Sequence, residues 1–417
     1  MTHRSLPEAL AQLRTKDLLG VTSDLVKIPS MSGQETAIMD YVVSFLRDKG
    51  IEPVVLGRRA DRPNVVATIG TGAPPVVVLN GHLDTVFPAS RAQWQSDPFD
   101  AVVNNGTMAG LGSLDMKGAC AAMLLAFVAL HRHADNLTGT VQLQLVCDEE
   151  DNGYYGTPYL VELMKQGSLP RPDHVIVGEY TGLEVMTAER GSFKFHIHFR
   201  GRATHTATAR VEGRNAIHAA AEAVRLLDRD LAIEHPAVGK AVMSVNKIEG
   251  GRFFSQVADA CTILVDRRLV PGETMESALD HARGIVESLR PAIPWLEFEA
   301  TPALDDAGGP RFVAPNLTPR DAPVAEAIRR AHQRVTGKAA RDFIGWFGAT
   351  DGRCFRYEGI DCAVYGPTGA HAHGPNEFVE LDSLATTLLV TAMAAAELCG
   401  MSEKAGAPVR TDGGTPR

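Results

Sequence analysis

The sequence predicts an α/β protein in which a mostly parallel sheet is flanked by helices, with an inserted α+β domain that has an antiparallel sheet. Val76–Leu79 is a continuous apolar run between a proline and a turn, which is typical of a strand buried on both faces of a parallel sheet. Phe193–Phe199 instead alternates apolar and polar residues, as a half-exposed antiparallel strand does. The length of 417 residues exceeds one ordinary core and favours two domains.

Residues 1–189 are predicted to form the first part of the main domain. Apolar residues at helical spacing predict its helices, over Leu6–Lys27, Thr36–Lys49, Ala119–His131 and Tyr159–Gln166. Short apolar runs predict its strands, over Pro53–Leu56, Asn64–Ile69, Val76–Leu79, Thr140–Cys147 and His174–Val177. The glycines of Ala109–Gly118 lack the spacing of a dinucleotide-binding loop, and we interpret them as a bend that presents Asp115 at the start of a helix.

Residues 190–302 are predicted to form the insertion, and residues 303–401 the second part of the main domain. The insertion has predicted strands over Phe193–Phe199, Ala241–Ile248, Cys261–Asp266 and Trp295–Ala300, and helices over Asn215–Leu227 and Thr274–Leu289. The second part has a predicted helix over Pro323–Val335, strands over Arg341–Ile344 and Cys362–Tyr365, and a final helix over Leu381–Cys399. The polar residues 402–417 are predicted to be a disordered tail.

Composition disfavours several classes of function. A net charge of −9 disfavours a nucleic-acid surface but permits an anionic small substrate. The six cysteines are scattered without a CxxC pair, which indicates reduced thiols. The N-terminus lacks the apolar segment of a signal peptide, and the apolar stretch Ala119–Leu130 is too short to span a bilayer. We therefore expect a cytoplasmic protein with no membrane or nucleic-acid partner.

Acidic and histidine side chains follow the predicted parallel strands where each strand ends. His82 and Asp84 follow the third strand, the acids Asp148–Asp151 the fourth, and Glu179 the fifth. Ligands of open α/β sheets bind at this edge, and adjacent acids there are unfavourable unless a cation compensates them. Each motif alone has a simpler interpretation: a loop hydrogen bond for His82, a solvated turn for the acids, and a helix cap for Asp115.

Taken together, these side chains are candidate metal ligands: His82, Asp84, Asp115, Glu149, Glu150, Glu179 and His373. Histidine and carboxylate ligands without cysteine suit Zn²⁺, with Mn²⁺ or Co²⁺ as replacements. The carboxylates outnumber what one tetrahedral zinc ion needs. This excess indicates two metal ions with a bridging ligand.

With these motifs the chain resembles the co-catalytic zinc deacylase and carboxypeptidase family. That family includes acetylornithine deacetylase, succinyl-diaminopimelate desuccinylase, aminoacylases and bacterial glutamate carboxypeptidase. The matching motifs are GHLDTV around His82, GSLDMKG around Asp115, CDEED around Glu149 and Glu150, GEY at Glu179, and HGPNE at His373. They stand in the family's order, with the insertion between the fourth and the fifth. GRATHT and DRRLVPGE match motifs of the family's smaller domain.

The resemblance implies five metal ligands in the main domain, which would be the catalytic one. Asp115 would bridge two Zn²⁺ ions. His82 and Glu179 would complete one metal ion, and Glu150 and His373 would complete the other.

The resemblance also implies that Glu149 is the general base, which takes a proton from a metal-bridging water and delivers it to the leaving amine. Asp84 would hold the imidazole of His82. The peptide bond after Asp115 is expected to be cis, as it is in relatives. Adjacent residues of a regular strand point to opposite faces, so the chain must already turn at Asp148 for two neighbouring glutamates to serve one site.

For the insertion, the resemblance implies a lid and a dimerisation domain. His205 matches a histidine that relatives donate across the dimer interface to the oxyanion, although alone it would be a surface histidine. Arg268 matches an arginine that binds the substrate's carboxylate. Thr350, in GATDGR, stands where relatives line the carboxylate pocket. We therefore expect a homodimer through the inserted domain.

Two positions depart from the family's pattern. Leu111 stands where the family often has arginine, and Gln256–Asp259 replaces an Asn-x-x-Pro element near the substrate. The second departure lies in the hinge region that faces the substrate, so the resemblance does not carry over the acyl-group preference of any one relative. His371 lies two residues before His373, and the spacing to Asn376-Glu377 favours His373 as the ligand.

The leading hypothesis is a dinuclear zinc amidohydrolase that cleaves an N-acyl amino acid in the deacetylase or desuccinylase manner. Its substrate would be a small N-acyl amino acid or a short peptide with a free carboxylate. A carboxypeptidase or dipeptidase with the same chemistry is the alternative, since the two differ only in pocket shape. A non-catalytic binding protein is a distant alternative, because Glu149 and all five ligands are present. No cysteine or serine stands in a triad-like context.

Overall fold

A computed structural model describes residues 15–151, 153–305, 308–344 and 348–401. Within these residues the chain forms two compact units. The first comprises the residues up to Thr187, Thr318–Phe343 and those from Thr350, and the second comprises Ala188–Leu317 and Ile344–Ala349. The first contains a mostly parallel sheet flanked by helices, and the second contains an antiparallel sheet. The predicted fold class is therefore confirmed.

The helices of the described residues are α1 (Thr15–Lys27), α2 (Thr36–Asp48), α3 (Lys117–His131), α4 (Thr157–Lys165), α5 (Ala216–Leu227), α6 (Met275–Glu287), α7 (Pro323–Thr336), α8 (Gly352–Tyr357) and α9 (Leu381–Leu398). The strands are β1 (Val54–Leu56), β2 (Asn64–Gly70), β3 (Val76–His82), β4 (Val102–Asn104), β5 (Thr107–Ala109), β6 (Thr140–Val146), β7 (His174–Val177), β8 (Ala188–Glu189), β9 (Gly191–Arg200), β10 (Arg229–His235), β11 (Gly239–Gly250), β12 (Ala260–Leu269), β13 (Glu297–Pro302), β14 (Phe312–Val313), β15 (Asn316–Leu317), β16 (Asp361–Val364), β17 (Gly369–Ala370) and β18 (Phe378–Glu380).

The main sheet of the first unit has the strand order β1-β2-β6-β3-β7-β16. Strands β6, β3, β7 and β16 run parallel, whereas β1 and β2 join antiparallel at one edge. Strand β3 is buried along its whole length, as its apolar run predicts. The carboxyl ends of the four parallel strands therefore lie at the same edge of the sheet.

Two layers of helices cover this sheet, because alternate residues of each strand face opposite sides. Val77 and Leu79 face the core that α1, α2, α3, α7 and α9 share. Val66 and Val146 face the other side, where they pack against α4. Helix α3 is buried from its first residue to Leu130, which explains why its sequence is apolar all round.

Helix α9 is long and apolar enough to cross a membrane by length and composition. The sequence predicts this helix, over Leu381–Cys399, although only Ala119–Leu130 is considered above as a possible membrane span. Helix α9 packs against α3 and α7, and more than half of its residues are buried. A buried core helix can be equally long and apolar, so α9 is weak evidence for a membrane span.

The second unit is built on an antiparallel sheet of order β10-β11-β12-β9-β13, with β14 also paired to β9. Every second residue of β9 is buried, as the alternation predicts, and α5 and α6 cover the buried face. Helix α5 begins at an Asn215 cap and α6 at a capping box of Thr274 and Ser277. The unit runs to Leu317, beyond the predicted end at 302, because β14 and β15 pair with β9 and β8.

Some elements differ from the sequence prediction. Arg341–Ile344 forms no strand, and its one bridge joins Asp342 to Val185. The hairpin β4–β5 and strand β10 are not predicted from the sequence, because mostly exposed strands leave little apolar periodicity. Residues 6–14 of the first predicted helix and the predicted tail, 402–417, lie outside the described residues.

Candidate active site

Parallel strands bring most of the predicted metal ligands to one edge of the main sheet. His82 is the last residue of β3, Glu150 follows β6, and Glu179 follows β7. His373 lies in the loop between β17 and β18, and Asp115 lies two residues before α3. Because β6, β3 and β7 are adjacent, their ends place these side chains within reach of one another.

Asp115 lies between two histidine–glutamate pairs. Its Oδ1 is 3.3 Å from His82 Nε2, and its Oδ2 is 3.0 Å from His373 Nε2. Glu179 Oε1 is 3.3 Å from His82 Nε2, and Glu150 Oε2 is 2.9 Å from His373 Nε2. The two oxygens of one carboxylate therefore face two separate pairs of possible ligands. The structure brings these five predicted residues together.

The electrostatics of this cluster favour positive charge. Hydrogen bonds to Asp115 and Glu150 raise the pKa of His373 to about 10. Burial lowers the pKa of His82, but the neighbouring carboxylates of Asp115, Asp84 and Glu179 outweigh it, and this pKa lies well above its ordinary value. Burial and the charge of Asp115 raise the pKa of Glu179 to about 7. Three neighbouring carboxylates thus create a need for cations at this place.

The donor atoms fit metal ions. His82 Nε2, Glu150 Oε1 and Glu179 Oε2 are buried and have no hydrogen-bond partner among the described residues. Buried polar atoms of this kind are costly unless another group binds them. Ligand atoms of His82, Asp115 and Glu150 lie within 4.8 Å of one another. Nitrogen and oxygen donors without sulfur suit Zn²⁺, Mn²⁺ or Co²⁺.

Asp84 contacts the imidazole of His82 chiefly through its main chain. His82 Nδ1 donates a hydrogen bond to the main-chain carbonyl of Asp84 at 3.0 Å, whereas the nearest carboxylate oxygen is 3.5 Å away. The carboxylate instead accepts the main-chain N–H groups of Glu149 and Glu150, each at 3.1 Å, and the Ser32 hydroxyl at 2.7 Å. Asp84 therefore fixes the ring of His82 through its backbone and the two glutamates through its side chain.

The chain turns at Asp148, as two adjacent site glutamates require. Asp148 has a φ of 69°, in the left-handed region that aspartate tolerates better than most residues. Its carboxylate accepts hydrogen bonds from Arg62 and from the Tyr155 main-chain N–H. Arg62 also donates to Glu35 Oε1 at 2.9 Å, and its guanidinium lies 4.7 Å from the centre of the Tyr155 ring. A buried ion-pair network thus holds the turn from behind.

Glu149, the predicted general base, lies at the end of this turn. Burial raises the pKa of Glu149 well above its ordinary value, and the charge of Asp351 raises it further. Arg353 Nη1 lies 3.8 Å from Glu149 Oε1. Divalent cations bound nearby would act in the opposite direction and favour the ionised form.

The turn before α3 carries Asp115. The Asp115-Met116 peptide bond is cis, as expected. Glu377 is buried against this turn: its Oε1 accepts the N–H groups of Leu114 at 2.8 Å and Asp115 at 3.0 Å, and its Oε2 accepts the N–H of Gly112 at 3.0 Å.

The remaining predicted residues are placed as follows. Thr350 is buried, and its hydroxyl accepts the Gly352 N–H at 3.0 Å. His371 packs against the ring of Phe378, with the ring centres 6.0 Å apart. His205 and Arg268 belong to the second unit: His205 is exposed, and Arg268 lies 3.2 Å from Asp266. Their roles stay predictions.

Sequence reasoning missed three contributors to the site: Arg62, Arg353 and the role of Glu377. Glu377 lies in the HGPNE motif, and that position was the one available signal. Arg62 stands in an ordinary loop sequence. The carboxylates that it joins come from distant parts of the chain. No local pattern marks such a residue.

Comparison with known proteins shows the family of the chain. The profile of peptidase family M20/M25/M40 matches residues 78–397. A succinyl-diaminopimelate desuccinylase of Stenotrophomonas maltophilia is 30% identical over 389 residues, covering 88% of this chain and 95% of the relative. One from Pseudomonas syringae is 30% identical over 376 residues, covering 86% and 91%.

Solved structures share the fold at low sequence identity. The aminopeptidase PepT of Bacillus cereus superposes with a TM-score of 0.71 at 17% identity, covering 92% of this chain and 99% of that one. The YXEP protein of Bacillus subtilis, described as a dinuclear metal binding peptidase, gives a TM-score of 0.68 at 17% identity and covers 93% and 99%. The chain therefore belongs to peptidase family M20/M25/M40, and it is a hydrolase of the metallopeptidase and amidohydrolase type.

Proposed function

We propose that this chain is a dinuclear zinc amidohydrolase that cleaves the amide bond of an N-acyl amino acid, in the deacetylase or desuccinylase manner. The observation that carries the proposal is Asp115, whose two carboxylate oxygens face two histidine–glutamate pairs at 3.3 and 3.0 Å. The relatives named succinyl-diaminopimelate desuccinylase, at 30% identity over most of their length, support an acyl amino acid as substrate.

The proposed ligands are His82 and Glu179 for one zinc ion and Glu150 and His373 for the other, with Asp115 between them. A zinc pair bound there would supply Lewis acidity toward an amide carbonyl and toward water. Two Zn²⁺ ions against three carboxylates leave about one positive charge, which suits an anionic group at the site. Co²⁺ or Mn²⁺ could take the same donors.

Glu149 is proposed to carry the proton. Its carboxylate accepts a proton from the attacking water and donates it to the nitrogen of the leaving amine. Burial favours the protonated carboxyl between these two steps. Asp84 supports Glu149 by accepting its main-chain N–H at 3.1 Å, so the base keeps its direction while it exchanges the proton.

The second unit is proposed to complete the site in a homodimer. His205 would donate to the oxyanion, and Arg268, with Thr350 of the first unit, would bind the substrate's carboxylate. The main chain of His205 forms an isolated β-bridge with Gln256, which lies close in sequence to the exposed side chains of Phe253 and Phe254. Exposed aromatic side chains of this kind are common in protein interfaces and support an association through this unit. A cytoplasmic location remains part of the proposal.

An amide-hydrolysis screen tests the function. Zinc-loaded protein is offered acetyl-ornithine, succinyl-diaminopimelate, other N-acyl amino acids and dipeptides, with a chelated sample and the Glu149→Gln variant as controls. Chelator-sensitive cleavage of an N-acyl amino acid is expected, and it should be absent in the variant. Cleavage of dipeptides alone would contradict the proposed deacylase function and favour a peptidase. Silence across the panel with two zinc ions bound would contradict the proposed substrate class.

A further inference from the structure

Glu377 joins two segments of the site without being one of the proposed ligands. Its carboxylate accepts three main-chain N–H groups, from Gly112, Leu114 and Asp115, at 2.8 to 3.0 Å. Its own main-chain carbonyl accepts the N–H of Gly110 at 2.9 Å. The side chain is 1% exposed, so water does not compete for these bonds. Glu377 therefore accepts four main-chain N–H groups of residues 110–115, the turn that ends at Asp115.

The backbone conformation of this turn is also restricted by close packing at Gly112. Gly112 has a φ of 77°, and a Cβ there would come within 2.6 Å of the Thr85 side chain. Asp115 has a short side chain, so the position of its main-chain nitrogen largely sets where its two oxygens lie. The bond from Asp115 N to Glu377 therefore acts on the carboxylate that lies between His82 and His373.

Glu377 also belongs to the loop that carries His373, four residues before it. The side chain of His373 is 51% exposed, and the residue has a φ of 61°, so burial and regular structure give it little support. Asn376 fastens this loop to Gln93 and Gln95, and Glu377 fastens it to the Asp115 turn. Strand β18, which begins just after Glu377, also pairs with β5, which ends just before the turn of Asp115. Beyond these two strands, the contacts of Asn376 and Glu377 set the register between His373 and Asp115.

The other pair of proposed ligands has independent support. His82 ends a buried strand and has its Nδ1 bound to a main-chain carbonyl, and Glu179 follows the neighbouring strand β7. Loss of Glu377 would disturb only Asp115 among the three ligands on that side. On the other side it would disturb both Asp115 and His373 and leave Glu150.

We propose that Glu377 is a positioning residue that sets Asp115 and His373 in register, so that the cation held by Asp115, Glu150 and His373 depends on it more than the other cation does. The proposal rests on the dinuclear site proposed above. Mutation of residues that orient metal ligands typically weakens metal binding by about 10- to 100-fold. We expect that range for the second zinc ion alone.

Zinc titration of the full chain tests the inference, by competition with a chromogenic chelator and by metal analysis after desalting. Glu377→Gln places an amide where a carboxylate oxygen accepts an N–H, and Glu377→Asp keeps the charge but shortens the reach. Glu380→Gln is the matched control, because Glu380 is an exposed glutamate three residues further on, at the end of β18. Thermal melts confirm that each variant is folded during the titration.

Wild type and Glu380→Gln are expected to bind two zinc ions, and both Glu377 variants to bind one tightly and the second about 10- to 100-fold more weakly. If Glu377→Gln does not fold, the charge-conserving Glu377→Asp decides. Unchanged affinity for both ions, or equal weakening of both, would overturn the inference while leaving the proposed function intact. A wild-type chain that binds fewer than two zinc ions would overturn the proposed function itself and this register with it.

Discussion

Replacing Arg62 with alanine should destabilise the first unit and misplace the general base. The side chain of Arg62 is 11% exposed, and the carboxylates of Glu35 and Asp148 that it joins are 0% and 3% exposed. Removing one partner of a buried ion pair typically costs about 3–5 kcal/mol, because the remaining charges lose their counter-charge. We expect about 3 kcal/mol, the lower end, because Arg62 keeps an edge in contact with solvent.

Urea unfolding followed by circular dichroism measures this loss, with Arg59→Ala as control. Arg59 lies in the same loop and pairs with Asp61, but both side chains are 58% exposed, so its loss should leave the unfolding midpoint unchanged. Adding Glu35→Gln and Asp148→Asn to Arg62→Ala removes the uncompensated charges and should recover much of the stability.

The same variant should also lose turnover at temperatures where it is folded, because Arg62 holds the turn of Asp148 that directs Glu149. Arg62→Ala that unfolds at the same urea concentration as Arg59→Ala would refute the argument that the network is buried and cooperative. A triple variant less stable than Arg62→Ala would refute the charge-based explanation.

Three further results are expected. Glu149→Gln should keep both metal ions and lose turnover by about 10²- to 10⁴-fold in the hydrolysis assay. By metal analysis, His373→Ala should bind one metal ion fewer than wild type, whereas His371→Ala should keep both because its ring packs on Phe378. His205→Ala should lower turnover by about 10²- to 10³-fold with metal content intact, and dimers mixed with Glu149→Gln should regain part of the activity.

Each of these results has a clear opposite. Near-normal turnover of Glu149→Gln would remove Glu149 as the base. Equal metal content in the His371 and His373 variants would remove His373 as a ligand. A lack of recovery in mixed dimers would argue against action of His205 across an interface.

Much of the arrangement at the sheet edge could be predicted from the sequence, because parallel strands carry a strong apolar signal and end together. The run before His82 and the strands before Glu150 and Glu179 fix those positions by topology alone. The turn at Asp148 also follows, since two adjacent glutamates on a regular strand cannot serve one site.

Other features depend on contacts between residues far apart in the chain. The carboxylate of Asp84 accepts the main-chain N–H groups of Glu149 and Glu150. Glu377 accepts main-chain N–H groups more than 260 residues away in sequence. Hydrogen bonds to main-chain amides leave no residue-type pattern, so neither role could be inferred from sequence. Exposed short strands such as β4 were missed because they bury too few side chains to produce a period.

Anomalous diffraction at the zinc edge, from crystals of zinc-loaded protein, tests the central claim most directly. The account predicts two peaks on either side of Asp115, one beside His82 and Glu179 and the other beside Glu150 and His373. A single peak, or two peaks that do not share Asp115, would contradict the dinuclear site.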